Sequence, residues 1–369
     1  MQPDDRIPVM LLTGFLGSGK TTLLNAWLRS PELANAAVIV NEFGEVGIDH
    51  ALIASSSDNT IELSTGCLCC TVRGDLVNTL RELHVKREKG EIRAFDRLVI
   101  ETTGLADPAP VIQALMTFPV ARRFRLRQVV TTVDAVNGDD TLEQHPESVK
   151  QAAVADEIIL TKTDLPQASV EELLQRLKLL NPGAAIHHSS PDRMPSPDTL
   201  MAVDIYDPTK KSADVIQWLN AEAYARGTGH GHADAHGHEH GDGSDQARDH
   251  HRHDITRHNA EIGSFCLEYE TPLHWEHVST WLDALVMAHG EQLLRVKGII
   301  NVVGRNRPIV VQAVQHLFHP PFELSAWPSD DRKSRIVFIT RNLARDYVCE
   351  VLDTIRQRRV ADPPSQRTA

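Results

Sequence analysis

The chain has 369 residues, 41% of them hydrophobic and 24% charged, a composition ordinary for a soluble globular protein and long enough for two domains. Its formal charge of −12 argues against a general nucleic-acid binder, whose affinity would rest on a basic face. The one local exception, Arg122-Arg123-Phe124-Arg125-Leu126-Arg127, reads as a solvated helix end.

The acidic start Met1-Gln2-Pro3-Asp4-Asp5 runs straight into a strand and does not read as a signal peptide. No run of about 18 apolar residues is present to span a bilayer. The expectation is a cytoplasmic protein with no membrane or nucleic-acid partner. Thiols stay reduced in that compartment. Five cysteines, three of them within four residues, therefore suggest a metal or redox site rather than a disulfide framework.

Val9 to Thr13 reads as the first strand and opens directly onto Gly14-Phe15-Leu16-Gly17-Ser18-Gly19-Lys20-Thr21, after which Lys20 to Leu28 has helical spacing. Strand, glycine-rich turn and helix in that order are the context a P-loop requires. Backbone N–H groups of Gly14, Gly17, Ser18 and Gly19, with Thr21 and Thr22 at the helix start, would cradle phosphate oxygens. Lys20 would neutralise the β- and γ-phosphates, and the Thr21 hydroxyl would bind Mg²⁺.

Ala37 to Val40, Arg97 to Ile100, Gln128 to Val133 and Glu157 to Leu160 follow as strands, with Ala184 to His188 as a sixth. The helical stretches between them include Leu76 to Lys89 and Val170 to Leu179. Apolar runs alternating with helices predict an α/β fold, a P-loop NTPase with a doubly wound, mostly parallel sheet. The strand ending in Glu101 places a carboxylate where it can support Mg²⁺, and Gly104 lets backbone approach the γ-phosphate. Asp107 and Pro108 follow in a loop able to respond to that phosphate. After the next-to-last strand comes Thr161-Lys162-Thr163-Asp164. The Asp164 carboxylate can accept both the N1–H and the 2-amino hydrogens of guanine, a donor pair that adenine lacks, so GTP is expected over ATP. Lys162 would lay its aliphatic stem along the base.

Asn41-Glu42-Phe43-Gly44-Glu45-Val46-Gly47 has the place of a switch segment, and Glu42 or Glu45 is expected to position the hydrolytic water. Beyond it, Cys67, Cys69 and Cys70 form a soft-metal ligand set suited to Zn²⁺. A tetrahedral site needs one or two further ligands, for which Glu42, Glu45, a His or water are candidates. The adjacent Cys69 and Cys70 diverge in extended backbone, so the three thiols need not all bind together.

From Gly227 to His258 the composition collapses to nine His, six Gly, six acidic residues and three Arg, with Ile255 the sole large aliphatic side chain. Such a segment cannot bury enough surface to offset the entropy of ordering and reads as a disordered linker. Its histidines 230, 232, 236, 238, 240, 250, 251, 253 and 258 would bind metal weakly and exchangeably. The expected division is residues 1–226 for the GTPase domain, 227–258 for the linker and 259–369 for a smaller α+β domain. In the last, Gly263 to Glu270, Leu293 to Val303, Ile309 to Leu317 and Arg335 to Thr340 read as strands, with helices at His274 to Met287 and Asp346 to Arg356.

With these motifs in order, the chain resembles the CobW/YjiA-like family of metallochaperone GTPases. Leu12 to Thr22 looks like its P-loop, Asn41 to Glu45 its switch segment, Gly66-Cys67-Leu68-Cys69-Cys70 its metal motif, and Glu101 to Pro108 and Thr161 to Asp164 match as well. Leu294-Arg295-Val296-Lys297-Gly298 and Val311-Gln312-Ala313-Val314-Gln315 resemble its second domain. The resemblance implies slow intrinsic GTP hydrolysis, zinc or cobalt handling, and transfer of metal to a client apo-protein. No arginine finger is identifiable in the sequence, which fits slow turnover unless a client or a second subunit of a homo-oligomer supplies one. Two rivals stand beside this reading. One is a metal buffer in which nucleotide only stabilises the fold. The other is a small-molecule kinase, for which the sequence offers neither a catalytic base nor an acceptor pocket.

Overall fold

The structure, a computed structural model, describes residues 5–41, 60–63, 71–168, 170–202, 219–221, 224 and 262–361. Two sheets organise them. The first has seven strands: β1 (Ile7–Gly14), β2 (Ala36–Asn41), β3 (Thr60–Leu63), β4 (Arg97–Glu101), β5 (Phe124–Asp134), β6 (Glu157–Thr161) and β7 (Ala185–His188). Their order is β3-β2-β4-β1-β5-β6-β7, and every pairing is parallel. All strands therefore end on one edge of the sheet, the edge that receives the P-loop after β1.

The central strands read as continuous apolar runs because both faces of the sheet are covered. Successive side chains point to opposite faces. Leu11, Ile39, Leu98 and Ile100 pack on one side beneath α2 (Thr71–Glu88) and α3 (Ala109–Met116). Met10, Leu12, Val38 and Val99 pack on the other against Leu23, Leu24 and Trp27 of α1 (Lys20–Leu28). The helices α4 (Gly138–Gln144), α5 (Pro146–Ala153) and α6 (Val170–Leu180) flank the β5–β6 half, and α7 (Pro197–Leu200) closes this part of the chain. This is the α/β, doubly wound arrangement expected from the sequence.

The basic stretch is a correction. Only Arg122 lies in a helical turn, the 3-10 segment Val120–Arg122, and Phe124 to Arg127 open β5 instead of ending a helix. Phe124 is buried and in register with Ile7. The guanidinium of Arg127 donates to the carbonyl of Met201. Arginines alternating with apolar residues conceal the strand from any reading that weighs charge first.

The second sheet is antiparallel. Its strands are β8 (Ile262–Tyr269), β9 (Leu293–Ile300), β10 (Ile309–Val314), β11 (Leu317–Phe318), β12 (Phe322–Glu323) and β13 (Ser334–Arg341), ordered β11-β10-β9-β13-β8 with β12 beside β10. One face is covered by α8 (Trp275–His289) and α9 (Arg345–Ala361), with Trp281 and Phe338 fully buried between them. The other face brings Ile299, Val310, Val337 and Ile339 into one apolar cluster with Ala153 and Tyr224. The single run expected from Ile309 to Leu317 is thus a tight hairpin, broken at Gln315, whose φ of 51° lies in the left-handed region. No described helix is long and apolar enough to cross a membrane. The expected domain boundaries, and the His-rich segment between them, lie outside the described residues.

The two sheets are joined through buried charge. Asp156, just before β6, accepts hydrogen bonds from Arg295 and Lys297 of β9, the latter at 2.7 Å, and from the Val129 amide. Burial alone would push the Asp156 carboxyl up, but the two cations outweigh it and hold the group below the usual carboxylate range. Burial likewise pulls Lys297 down to about 8 against the pull of Asp156. Removing one partner of a buried pair leaves uncompensated charge and costs about 3–5 kcal/mol. Asp156→Ala is therefore expected to lower unfolding free energy by about that amount in a urea titration. A loss below about 1 kcal/mol, the scale of an exposed pair, would show that the triad contributes no more than a surface contact.

Candidate functional site: a phosphate loop and a neighbouring cleft

The P-loop leaves β1 at Gly14, whose φ of 143° and surroundings admit no side chain. A Cβ there would stand 2.3 Å from Thr132 Oγ1 and 2.5 Å from the Thr132 carbonyl. Gly17 and Gly19 adopt left-handed φ values of 70° and 89°, and Gly19 serves as the N-cap of α1. The first amides of α1 thus face outward from the sheet edge, as phosphate binding requires. Lys20 is buried and folds back over its own loop, donating to the carbonyls of Gly14 at 2.9 Å and Phe15 at 3.1 Å. Thr22 lies near the start of the helix, beside the base cleft.

Thr21 Oγ1 donates to Glu101 Oε1 at 2.8 Å, and Glu101 is buried at the end of β4. A hydroxyl and a carboxylate at hydrogen-bond distance form a hard oxygen donor set, the kind that suits Mg²⁺. One residue on, Thr102 Oγ1 donates to Thr13 Oγ1 at 2.8 Å and its amide to the Leu12 carbonyl at 2.9 Å, which locks the β4 exit against β1. At Gly104 a Cβ would meet the Leu16 nitrogen and Cα at 2.7 Å. Only a glycine lets this loop touch the P-loop backbone, at the end where a γ-phosphate would sit.

Lys162 and Asp164 border a cleft of about 220 Å³ whose walls include Gly19, Thr22, Leu165 and Met194. Asp164 is exposed at the rim. Lys162 takes a φ of 58°, and its Nζ bonds Asp134 Oδ2 at 2.6 Å. Burial pushes the Asp134 carboxyl up, but donation from Lys162, the Val136 amide and Asn137 holds it below its ordinary value. That anchor fixes Lys162 at the cleft wall. Thr161, where many GTPases carry Asn, donates to the Ser18 carbonyl at 2.8 Å and so ties the base loop to the P-loop by a hydroxyl.

Three sets of participants went unassigned in the sequence. Asp134 orients Lys162, Gln151 of α5 donates to the carbonyls of Gly104 and Ala106, and Ser189 and Ser190 form part of the cleft wall. Thr163 Oγ1 reaches the Ser189 carbonyl at 3.0 Å, joining the two base loops. The position of Ser189-Ser190 at the end of β7 was a usable signal. Asp134 and Gln151 carried none. Glu42, Glu45, Cys67, Cys69 and Cys70 lie outside the described residues. Their flanks are described: β3 ends at Leu63 on the P-loop edge, and α2 starts at Thr71.

A parallel sheet with a glycine-rich phosphate loop after β1, leading straight into a helix, is the fold of a P-loop nucleotide-binding domain. Residues 8–188 match the CobW/HypB/UreG nucleotide-binding domain, and residues 262–356 match the C-terminal domain of the cobalamin synthesis protein cobW. The chain is 32% identical over 343 residues to the zinc chaperone YjiA of Escherichia coli, covering 93% of this chain and 96% of that protein. It is 30% identical over 366 residues to the zinc chaperone CobW of Pseudomonas aeruginosa, covering 95% and 91%. The crystal structure of Zn(II)-bound YjiA GTPase from E. coli superimposes with a TM-score of 0.65 at 29% identity, over 96% of this chain and all of that one. The chain belongs to the CobW family of GTPases.

Proposed function

We propose that the chain is a GTP-dependent metallochaperone that holds zinc through Cys67, Cys69 and Cys70 and passes it to a client apo-protein, with GTP hydrolysis driving the transfer. The observation that carries this reading is the likeness to zinc chaperones, which runs through both domains over 93% of the chain. Cobalt is the alternative cargo that the same thiolates accept. Thiolate ligands need a reducing compartment, which favours the cytoplasm.

In this reading the Gly14–Thr21 amides and Lys20 bind the triphosphate and stabilise charge on the γ-phosphoryl group as it transfers. Mg²⁺, held by Thr21 with Glu101 behind it, would supply further charge neutralisation. Asp164 selects guanine, Lys162 supports the base, and Gly104 lets its loop close on the γ-phosphate. Glu42 or Glu45 positions water or completes the zinc site.

The topology is consistent with a link between the metal and the nucleotide. The strand preceding the cysteines ends three strands from β1 on the same sheet edge, a lateral distance of about 14 Å at ~4.8 Å per strand. Order and release of the loops on that edge by the γ-phosphate would alter the cysteine site. Coupling energies of about 1–3 kcal/mol correspond to roughly 5- to 150-fold. Zinc affinity titrated with a GTP analogue, with GDP and without nucleotide is expected to differ by a factor in that range. Cys69→Ser is expected to lower zinc affinity and erase most of the difference, leaving metal-free GTP binding intact. Identical affinity in all three nucleotide states would replace the chaperone with a metal buffer.

A further inference from the structure

The loop after β4 is gripped from both domains. From the GTPase side, Gln151 Nε2 donates to the carbonyls of Gly104 at 3.2 Å and Ala106 at 3.0 Å. Its neighbour Lys150 reaches Asp107 Oδ2 at 2.8 Å. Asp107 Oδ1 caps the first turn of α3 by accepting from the Ala109 amide at 2.9 Å. From the other side comes the tip of the β10–β11 hairpin. Gln315 Nε2 donates to the same Asp107 Oδ2 at 3.1 Å, across 208 residues of sequence.

The hairpin is built to hold that amide in place. Val314, just before the turn, is buried in the GTPase domain's apolar cluster with Ile112 and Leu115 of α3, and Leu317 packs against the same cluster. The Gln315 backbone N–H donates to the Leu293 carbonyl at 2.8 Å, which fixes the turn. The His316 ring lies so close over Gly290 that a Cβ there would stand 2.0 Å from Nδ1. The left-handed φ of 51° at Gln315 is strain kept at a position where the side chain, and not the turn alone, has a use.

We propose that Gln315 is a positioning residue for GTP turnover, through which the C-terminal domain sets the conformation of the loop that meets the γ-phosphate. Asp107 is three residues from Gly104, and Gly104 rests on the P-loop. A change at the γ-phosphate therefore moves the oxygen that Gln315 holds. By linkage, seating of the hairpin and binding of triphosphate favour each other by the same factor. GDP, which makes no contact with that loop through a γ-phosphate, is indifferent. The proposal rests on GTP turnover alone and needs no zinc, so failure of the metal reading leaves it standing.

Gln315→Gly removes the amide while accepting the left-handed backbone, and Gln315→Asn keeps an amide too short to reach and tolerates the same φ. Both are expected to lower the ratio of GTP-analogue to GDP affinity by about 5-fold or more, and to lower kcat, with GDP affinity and thermal midpoint unchanged. Should one variant fail to fold, the other gives the same readout. A polarity swap provides the sharper test. Asp107→Asn leaves one acceptor oxygen where the carboxylate takes donors on both, so its NH2 must face either the Ala109 amide or Lys150 and Gln315. Gln315→Glu sets carboxylate against carboxylate. The double variant again places an amide opposite a carboxylate and is expected to recover most of the lost ratio. Parent-like ratios and kcat in the folded single variants, or no recovery in the double variant, would reduce Gln315 to a structural contact between domains.

Discussion

GTP turnover in Lys20→Ala is expected to fall by about 100-fold or more, with triphosphate affinity sharply reduced and the fold intact. Removing a single preorganised donor from a transition-state site costs about 10²–10³ in kcat, and Lys20 carries a full charge in a buried setting. Its Nζ already lies within the loop, 2.9 Å from the Gly14 carbonyl, so the charge reaches a phosphate there without reordering the chain. The side chain takes no part in the sheet's apolar clusters, and its loss leaves the thermal midpoint near that of the parent. Lys89→Ala, whose lysine pairs with Glu91 at the exposed end of α2, serves as the comparison and leaves turnover unchanged. Single-turnover hydrolysis beside thermal denaturation checks the claim. Parent-like turnover in a folded Lys20→Ala protein would remove Lys20 from the machinery.

Much of the nucleotide half was legible because its signals are local. β1, the glycine turn and α1 occupy consecutive residues, and each has one strong physical demand: a buried strand, backbone free to turn left-handed, a helix start. The expected helix from Lys20 to Leu28 matches the structure to the residue. Local signals fail where a residue's partner is distant in sequence. Thr161 was visible only as a departure from Asn, and its bond to the Ser18 carbonyl spans 143 residues. Gln151 reads as an ordinary helix residue in the sequence, yet it clamps a loop 45 to 47 positions earlier. β3, four residues long, was missed because it is too short to show a period. The break in Ile309 to Leu317 was missed for another reason. Gln315 is neither Gly nor Asn, so nothing in its side chain announces a left-handed turn, and the hairpin is held by packing on α3 that only the fold supplies.

Base choice is where sequence and geometry meet most directly. Asp164 sits at the rim of a cleft whose floor is fixed from two directions, by the Lys162–Asp134 pair and by the Thr163 bond to the Ser189 carbonyl. In that position an ionised, acceptor-only carboxylate would match the paired N1–H and 2-amino donors of guanine. Asp164→Asn replaces one acceptor oxygen with a donor amide that now faces a donor. Hydrogen bonds to charged groups contribute about 1.5–3 kcal/mol each, so loss of the pair should weaken GTP by about 100-fold or more. Xanthine carries an acceptor where guanine carries its 2-amino group, and the amide N–H introduced by the substitution complements that acceptor instead of opposing it. The Asp164→Asn protein is therefore expected to bind xanthosine triphosphate better than the parent does. The phosphates, Lys20 and the P-loop are untouched, so turnover at saturating xanthosine triphosphate should approach that of the parent with GTP. Competition binding of GTP, ATP and xanthosine triphosphate to parent and variant reads all of this at once. Equal affinity of the parent for ATP and GTP would mean that Asp164 does not read the base, and the cleft would then have to select on shape alone, which a purine of the same size would pass.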